Sequence, residues 1–315
     1  MTSSSSNSSS RRAEFRHYLE AFALRAGVAL FSLLPIDAAS WVMGKLWRHV
    51  VPFKRRNDRA LANLAYTMPD LSAEERKAIV DEVRENFGRV FIEAFRLREF
   101  VEDPSRIDLS GAWRLKEMAE RGENFVIASL HQGNWEASSC AMLRFGIEPA
   151  GVYRELSNPI VEVMVEQTRA PFYPRGLFCK RPGSDIARKL LTILKGGKGT
   201  IAMLADLRDS TGVPVEFLGR PSLANPFPAF MARMTGKPLM AGRLVRTSGA
   251  HFRCEVEHID VPVTDDKQAD ILEATKRLTE VFEQWIRKDP AQWMWTHRKW
   301  DLPPEFAPSR DRYSG

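Results

Sequence analysis

An imidazole steered by a carboxylate can take a proton from a hydroxyl near neutral pH, and His131 and Glu136 are placed to form such a pair. They follow the run Phe125-Val126-Ile127-Ala128-Ser129-Leu130, which is apolar, partly β-branched and long enough for one buried strand. Gly133-Asn134 breaks the run, and a helical pattern continues from Trp135 through Phe145. Asn134 is a good N-cap and puts Glu136 in the first turn, where the positive end of the helix dipole keeps a carboxylate ionised. With His131 still in the loop, the backbone can fold the two side chains together, whereas residues at this spacing on a continuous helix diverge. A histidine at a sheet rim and a glutamate that only answers a helix dipole would give the same two residues without chemistry. The ordered set of strand, histidine, glycine, cap and acid favours a site, because open α/β sheets gather their sites at the carboxyl ends of strands.

The elements that must position this pair alternate. Strand 124–130, helix 135–145, strand 149–153, helices 158–169 and 185–196, and strand 200–204 follow in order, which argues for an α/β sheet with parallel members. A short helix at 226–235, β-rich stretches at 238–246 and 251–261 and an amphipathic helix over 267–288 complete the core. Upstream, residues 59–66 read as helical, and 72–97 read as an amphipathic helix opened by the capping-box pattern Ser72-Ala73-Glu74-Glu75.

The block His131-Gln132-Gly133-Asn134-Trp135-Glu136 resembles the His-x4-Asp/Glu signature of the late acyltransferases of lipid A biosynthesis, the lauroyl/myristoyl acyltransferase family. Gly151-Val152-Tyr153-Arg154 is similar to that family's second block. The stretch from Leu194 to Gly219 is similar to its third, with Leu204-Ala205-Asp206-Leu207-Arg208 inside it. The tail Gln292-Trp293-Met294-Trp295-Thr296-His297-Arg298-Lys299-Trp300 resembles its closing aromatic-basic motif. The resemblance implies an acyltransferase-type sheet flanked by helices. It implies transfer of a fatty acyl chain from acyl carrier protein to a hydroxyl of a Kdo-bearing lipid A precursor, at the cytoplasmic face of the inner membrane and without a cofactor. Two other readings compete: acylation of another glycolipid such as a phosphatidylinositol mannoside, and a non-catalytic lipid-binding protein of the same fold.

For acyl transfer from a thioester, His131 fits the base and Glu136 fits the group that fixes its tautomer. The thioester is already activated, so no covalent enzyme intermediate is required, and the chain has no Gly-x-Ser-x-Gly elbow. Gly133, Asn134 and the amides after them are candidate donors to the oxyanion. Arg154 and Arg208 suit a bidentate grip on an acceptor phosphate, with Asp206 either orienting Arg208 or closing the site. The closing tryptophans either face lipid or pack as a C-terminal strand. The histidines and acids show no metal-ligand spacing. Cys140, Cys179 and Cys254 have neither paired nor metal-like spacing and read as reduced thiols. Cys140 reads as a small buried thiol and not as a nucleophile.

Charge is concentrated at one end. Residues 1–59 carry ten Lys/Arg against four acids, a net of +6 that equals the whole chain's. A basic terminus on a neutral body is drawn to an anionic surface. The basic residues are interleaved with apolar runs and no nucleic-acid module is present, so membrane is the preferred partner over nucleic acid. Residues 1–12 read as a disordered Ser-rich tail and 13–51 as membrane-associating helices. The acyltransferase domain occupies 52–302, and 303–315 form a C-terminal tail. The first helix, expected over 15–34, has an uncharged core too short to span a bilayer unaided and reads as an interfacial anchor. A plain amphipathic core helix is its rival. Trp41 and Trp47 on a second helix suit the headgroup region.

Overall fold

The computed structural model describes residues 3–153, 155–180, 185–196 and 199–308, with side chains from Glu14 onward. Four long helices lead into the sheet: α1 (Ser3–Ser32), α2 (Ile36–His49), α3 (Lys54–Thr67) and α4 (Ala73–Glu93). Short α5 (Leu97–Glu102), β1 (Ile107–Asp108) and α6 (Trp113–Glu120) precede β2 (Val126–Gly133) and α7 (Ser138–Arg144). Next come β3 (Pro149–Tyr153), α8 (Pro159–Arg169), β4 (Leu177–Cys179), α9 (Ile186–Lys195) and β5 (Thr200–Leu204). The chain closes with the hairpin β6 (Val213–Phe217) and β7 (Arg220–Ala224), then α10 (Phe227–Thr235), β8 (Leu239–Ser248), β9 (His251–Ile259) and α11 (Lys267–Lys288).

Seven strands form one sheet in the order β1-β9-β8-β2-β5-β3-β4, in which only β8 and β9 run antiparallel to each other. The expected α/β sheet with parallel members and flanking helices is therefore present. β2 lies at its centre, parallel to both β5 and β8, with Ser129 opposite Leu204. One apolar cluster packs Val126, Ala128 and Leu130 of β2 against α9, α10 and α11, and a second packs Ile127 against α6 and α7 on the other face. Adjacent strand residues thus feed opposite cores, as the pleat requires.

Local chemistry explains the boundaries. Ser72 and Glu75 form a reciprocal capping box at the start of α4. Asn158 accepts from the amides of Ile160 and Val161 and opens α8 with Pro159 in its first turn. β2 ends at Gly133, whose φ of 59° belongs to the left-handed region and where a Cβ would lie 1.7 Å from the Leu244 carbonyl oxygen. No L side chain fits there.

The amino terminus departs from expectation in two ways. The Ser-rich stretch expected to be disordered forms the first turns of α1 from Ser3 onward; neither proline nor glycine interrupts it before Gly27. α2 is part of the folded body: Ile36, Ala39 and Met43 are buried, and the helix packs along α4. A domain boundary at 52 would cut through that pair. Among the described residues, no helix is long and apolar enough to cross a membrane.

Candidate active site

β2 continues through Gly133, so His131 stands in the strand and not in a loop after it. Because Ser129 pairs with Leu204, the parallel register carries His131 and Asp206 to neighbouring positions at the carboxyl ends of β2 and β5. Nδ1 of His131 lies 2.7 Å from Oδ1 of Asp206, and the His131 amide donates to Oδ2 at 2.9 Å. Trp293 Nε1 donates to the same Oδ2 at 2.8 Å. Burial alone would raise the Asp206 pKa, but the opposing His131 charge and the donors from His131 and Trp293 outweigh it and hold the carboxyl at about 2. An ionised, solvent-free carboxylate on Nδ1 leaves Nε2 as the basic nitrogen of a partly exposed ring.

The carboxylate that orients His131 is therefore Asp206, where the sequence favoured Glu136. Extension of the strand moves His131 away from the turn that carries Glu136, and Arg169 of α8 takes the Glu136 carboxylate through Nε at 2.8 Å and a second bond from Nη2. Trp135, next to Glu136, packs its ring 5.4 Å from that of His131, so the Glu136–Arg169 pair borders the same site. Asn134 accepts from the amides of Glu136 and Ala137 at 3.1 Å, an Asx-type cap one turn ahead of α7. Its Nδ2 donates to Glu93, a buried carboxylate also held by Arg246 and Ser40. Asn134 is fully buried; its contacts fix the loop and leave nothing of it to touch substrate.

Four of the amides expected to receive an oxyanion are already engaged. Asn134 N donates to the Leu244 carbonyl, Glu136 N and Ala137 N donate to Asn134, and Ser138 N donates to the Trp135 carbonyl. Arg208 pairs with Asp301 at 2.6 Å and not with Asp206. Arg154 lies outside the described residues. Cys140 is buried, with burial pushing its thiol up to about 12, which suits a packed side chain and not a nucleophile.

The C-terminal segment contributes what sequence reasoning left between lipid contact and packing. Trp293 and Trp300 are buried against Phe217, and buried Trp295 packs against both of them. Met294 N donates to the His131 carbonyl at 2.9 Å and Lys299 Nζ donates to the Asp206 carbonyl at 2.6 Å. Asn63 of α3 donates to the Trp295 and His297 carbonyls at 2.8 and 2.9 Å, which seats His297 with its ring centroid 6.2 Å from that of His131. Neither Lys299 nor His297 stood out in the sequence as part of a site. The only available signal was their place in the aromatic-basic motif. A surface hollow of about 290 Å³, lined by Trp113, Arg121, Pro238 and His258, lies at the opposite end of the strands from this chemistry.

Taken together, a carboxylate-held imidazole meets solvent at the carboxyl ends of two central strands, beside a half-buried ion pair and beneath a segment carrying a second histidine. Residues 8–301 match the model of one family, described as bacterial lipid A biosynthesis acyltransferase. No curated protein sequence matches the chain.

Proposed function

The chain belongs to the bacterial lipid A biosynthesis acyltransferase family, and from that premise we propose that it moves a fatty acyl group from acyl carrier protein to a hydroxyl of a Kdo-bearing lipid A precursor. The observation that carries this reading is the His131–Asp206 pair. His131 Nε2 takes the acceptor hydroxyl proton as the oxygen attacks the thioester carbonyl. The C–S bond then breaks, and the proton passes from the imidazolium to the departing thiolate. Asp206 keeps the tautomer and supports the transient imidazolium. Glu136 and Arg169 wall the site. Arg208 and Arg154 are the proposed contacts to an acceptor phosphate. A protein that only bound lipid would have no use for an oriented base.

The test is incubation of the full-length protein with a Kdo-bearing lipid A precursor and a panel of acyl carrier protein thioesters, read by mass spectrometry. One added acyl chain is the expected product. Acylation of a phosphatidylinositol mannoside in preference would replace the acceptor, and lipid binding with no ester formed from any donor would remove the catalytic reading.

A further inference from the structure

The attack proposed above puts negative charge on the thioester carbonyl oxygen, and the site must answer it with a donor. Of the backbone amides after the strand, those of Asn134, Glu136, Ala137 and Ser138 are spent inside the protein. One side chain beside His131 is differently placed. His297 is an exposed residue whose ring is partly covered by protein, and no hydrogen bond to that ring is found among the described residues. Its backbone is pinned by Asn63, so the ring is presented from a fixed support. It is tilted 31° from the His131 ring with 6.2 Å between centroids, so the two imidazoles stand side by side.

We propose that His297 is a second catalytic histidine, donating an imidazole N–H to the developing oxyanion while His131 takes the hydroxyl proton. This assignment rests on the acyl-transfer reading. The groups around the ring favour a neutral donor: the surrounding protein desolvates it, and the His131 ring with the guanidinium charges of Arg56 and Arg59 works against a second positive charge, outweighing Asp206 and holding it at about 4. A neutral donor stabilises the oxyanion without adding its own charge beside the imidazolium that forms on His131. The step balances without further reagents: the ester C–O bond forms, the C–S bond breaks, the proton travels from hydroxyl to His131 to thiolate, and His297 keeps its own proton throughout.

The experiment compares wild type, His297→Ala and His297→Asn as full-length proteins, each shown to be folded by circular dichroism and thermal melting. Two rates are measured with one acyl carrier protein thioester: transfer to the lipid acceptor and slow hydrolysis by water. The carbonyl oxyanion forms in both, whatever the acceptor. His297→Ala is expected to lower kcat for both by about 100-fold, with KM for thioester and acceptor within about threefold. His297→Asn, which keeps an N–H donor, is expected to recover about tenfold of that loss. A His297→Ala variant that raises KM for the lipid acceptor while hydrolysis stays at the wild-type rate would make His297 an acceptor-binding residue and overturn the proposal. Wild-type kcat in both reactions would overturn it as well. Wild-type protein that hydrolyses thioester and acylates no lipid A precursor would refute the acceptor assignment, while the hydrolysis series still decides on His297.

Discussion

Asp206 is a buried carboxylate whose two oxygens are filled by His131 and Trp293, and its charge is maintained by those donors against the cost of burial. An amide at this position would keep the shape and some of the hydrogen bonds. It would lose the charge that supports an imidazolium, and its own N–H could face Nδ1 and force the wrong tautomer. Asp206→Asn is therefore expected to lower kcat by about 10⁴-fold at neutral pH with little change in KM. Steady-state kinetics on the folded variant check this, and a loss confined to KM would return Asp206 to substrate binding. The sequence shows both members of this pair as polar residues ending apolar runs, Val126 to His131 and Thr200 to Asp206. It does not show that the two runs are neighbours in one register, and that pairing makes Asp206 the partner. Glu136 was the nearer carboxylate along the chain, but Arg169, thirty-three residues further on, claims it.

At the scale of elements, the segment after α11 acts as a clamp. It has almost no regular structure, yet it delivers Trp293, Met294, Lys299 and Trp300 to the His131–Asp206 pair and to Phe217. Periodicity marked α11 and β5 closely, because a long amphipathic stripe and a short apolar run each have one natural register. It could not mark the clamp, whose order comes from side chains reaching distant backbone. The β6–β7 hairpin was also hidden: its turn is Leu218-Gly219, with Leu218 at a φ of 52°, in place of the usual Asn-Gly pair. Lys299 gives the clamp a titration signature. Its ammonium is buried, with the Asp206 carbonyl at 2.6 Å and the Phe217 ring at 4.3 Å, and burial lowers its pKa to about 8. An unfolded lysine titrates near its ordinary 10.5, so between those values the unfolded chain binds more protons. Stability then rises with pH across that window, by at most about 3 kcal/mol from this group. Lys299→Met removes both the hydrogen bond and the titration. Melting temperatures of wild type and variant taken from pH 7.5 to 10.5 are expected to diverge as pH rises, the wild type gaining relative to the variant. Parallel curves would mean that Lys299 is not held below its ordinary range.

The whole molecule presents its chemistry and its most apolar surface through connected elements. α1 exposes Phe15, Tyr18, Leu19 and Phe22, each more than half exposed, and α2 adds Trp41. Trp47 instead packs between Phe53 and Phe91, so only one of the two tryptophans expected at a headgroup layer faces outward. Asn158 of α8 holds α1 through the His17 carbonyl and Glu20, while α2 is tied to the active-site loop through Ser40, Glu93 and Asn134. We propose that this apolar face, edged by Arg16 and Arg25, rests in the interface of the inner membrane's cytoplasmic leaflet and brings the site to its lipid acceptor. Both forces are then needed: apolar insertion by α1, and attraction of the basic residues to anionic headgroups, worth about 1 kcal/mol per charge near the surface. α2 cannot be deleted to test this, since its loss would uncover α4, so the test is made on the face of α1 alone. Phe15→Ser, Leu19→Ser and Phe22→Ser combined should leave the melting temperature near that of the wild type, because those side chains are already in water. Binding to sedimented vesicles containing anionic lipid should fall by at least tenfold, given the apolar area removed. Raising salt should weaken the remaining binding further, since what is left is largely electrostatic. Wild-type binding by the triple variant would place the docking surface elsewhere, and binding indifferent to both salt and the triple change would end the interfacial reading of α1.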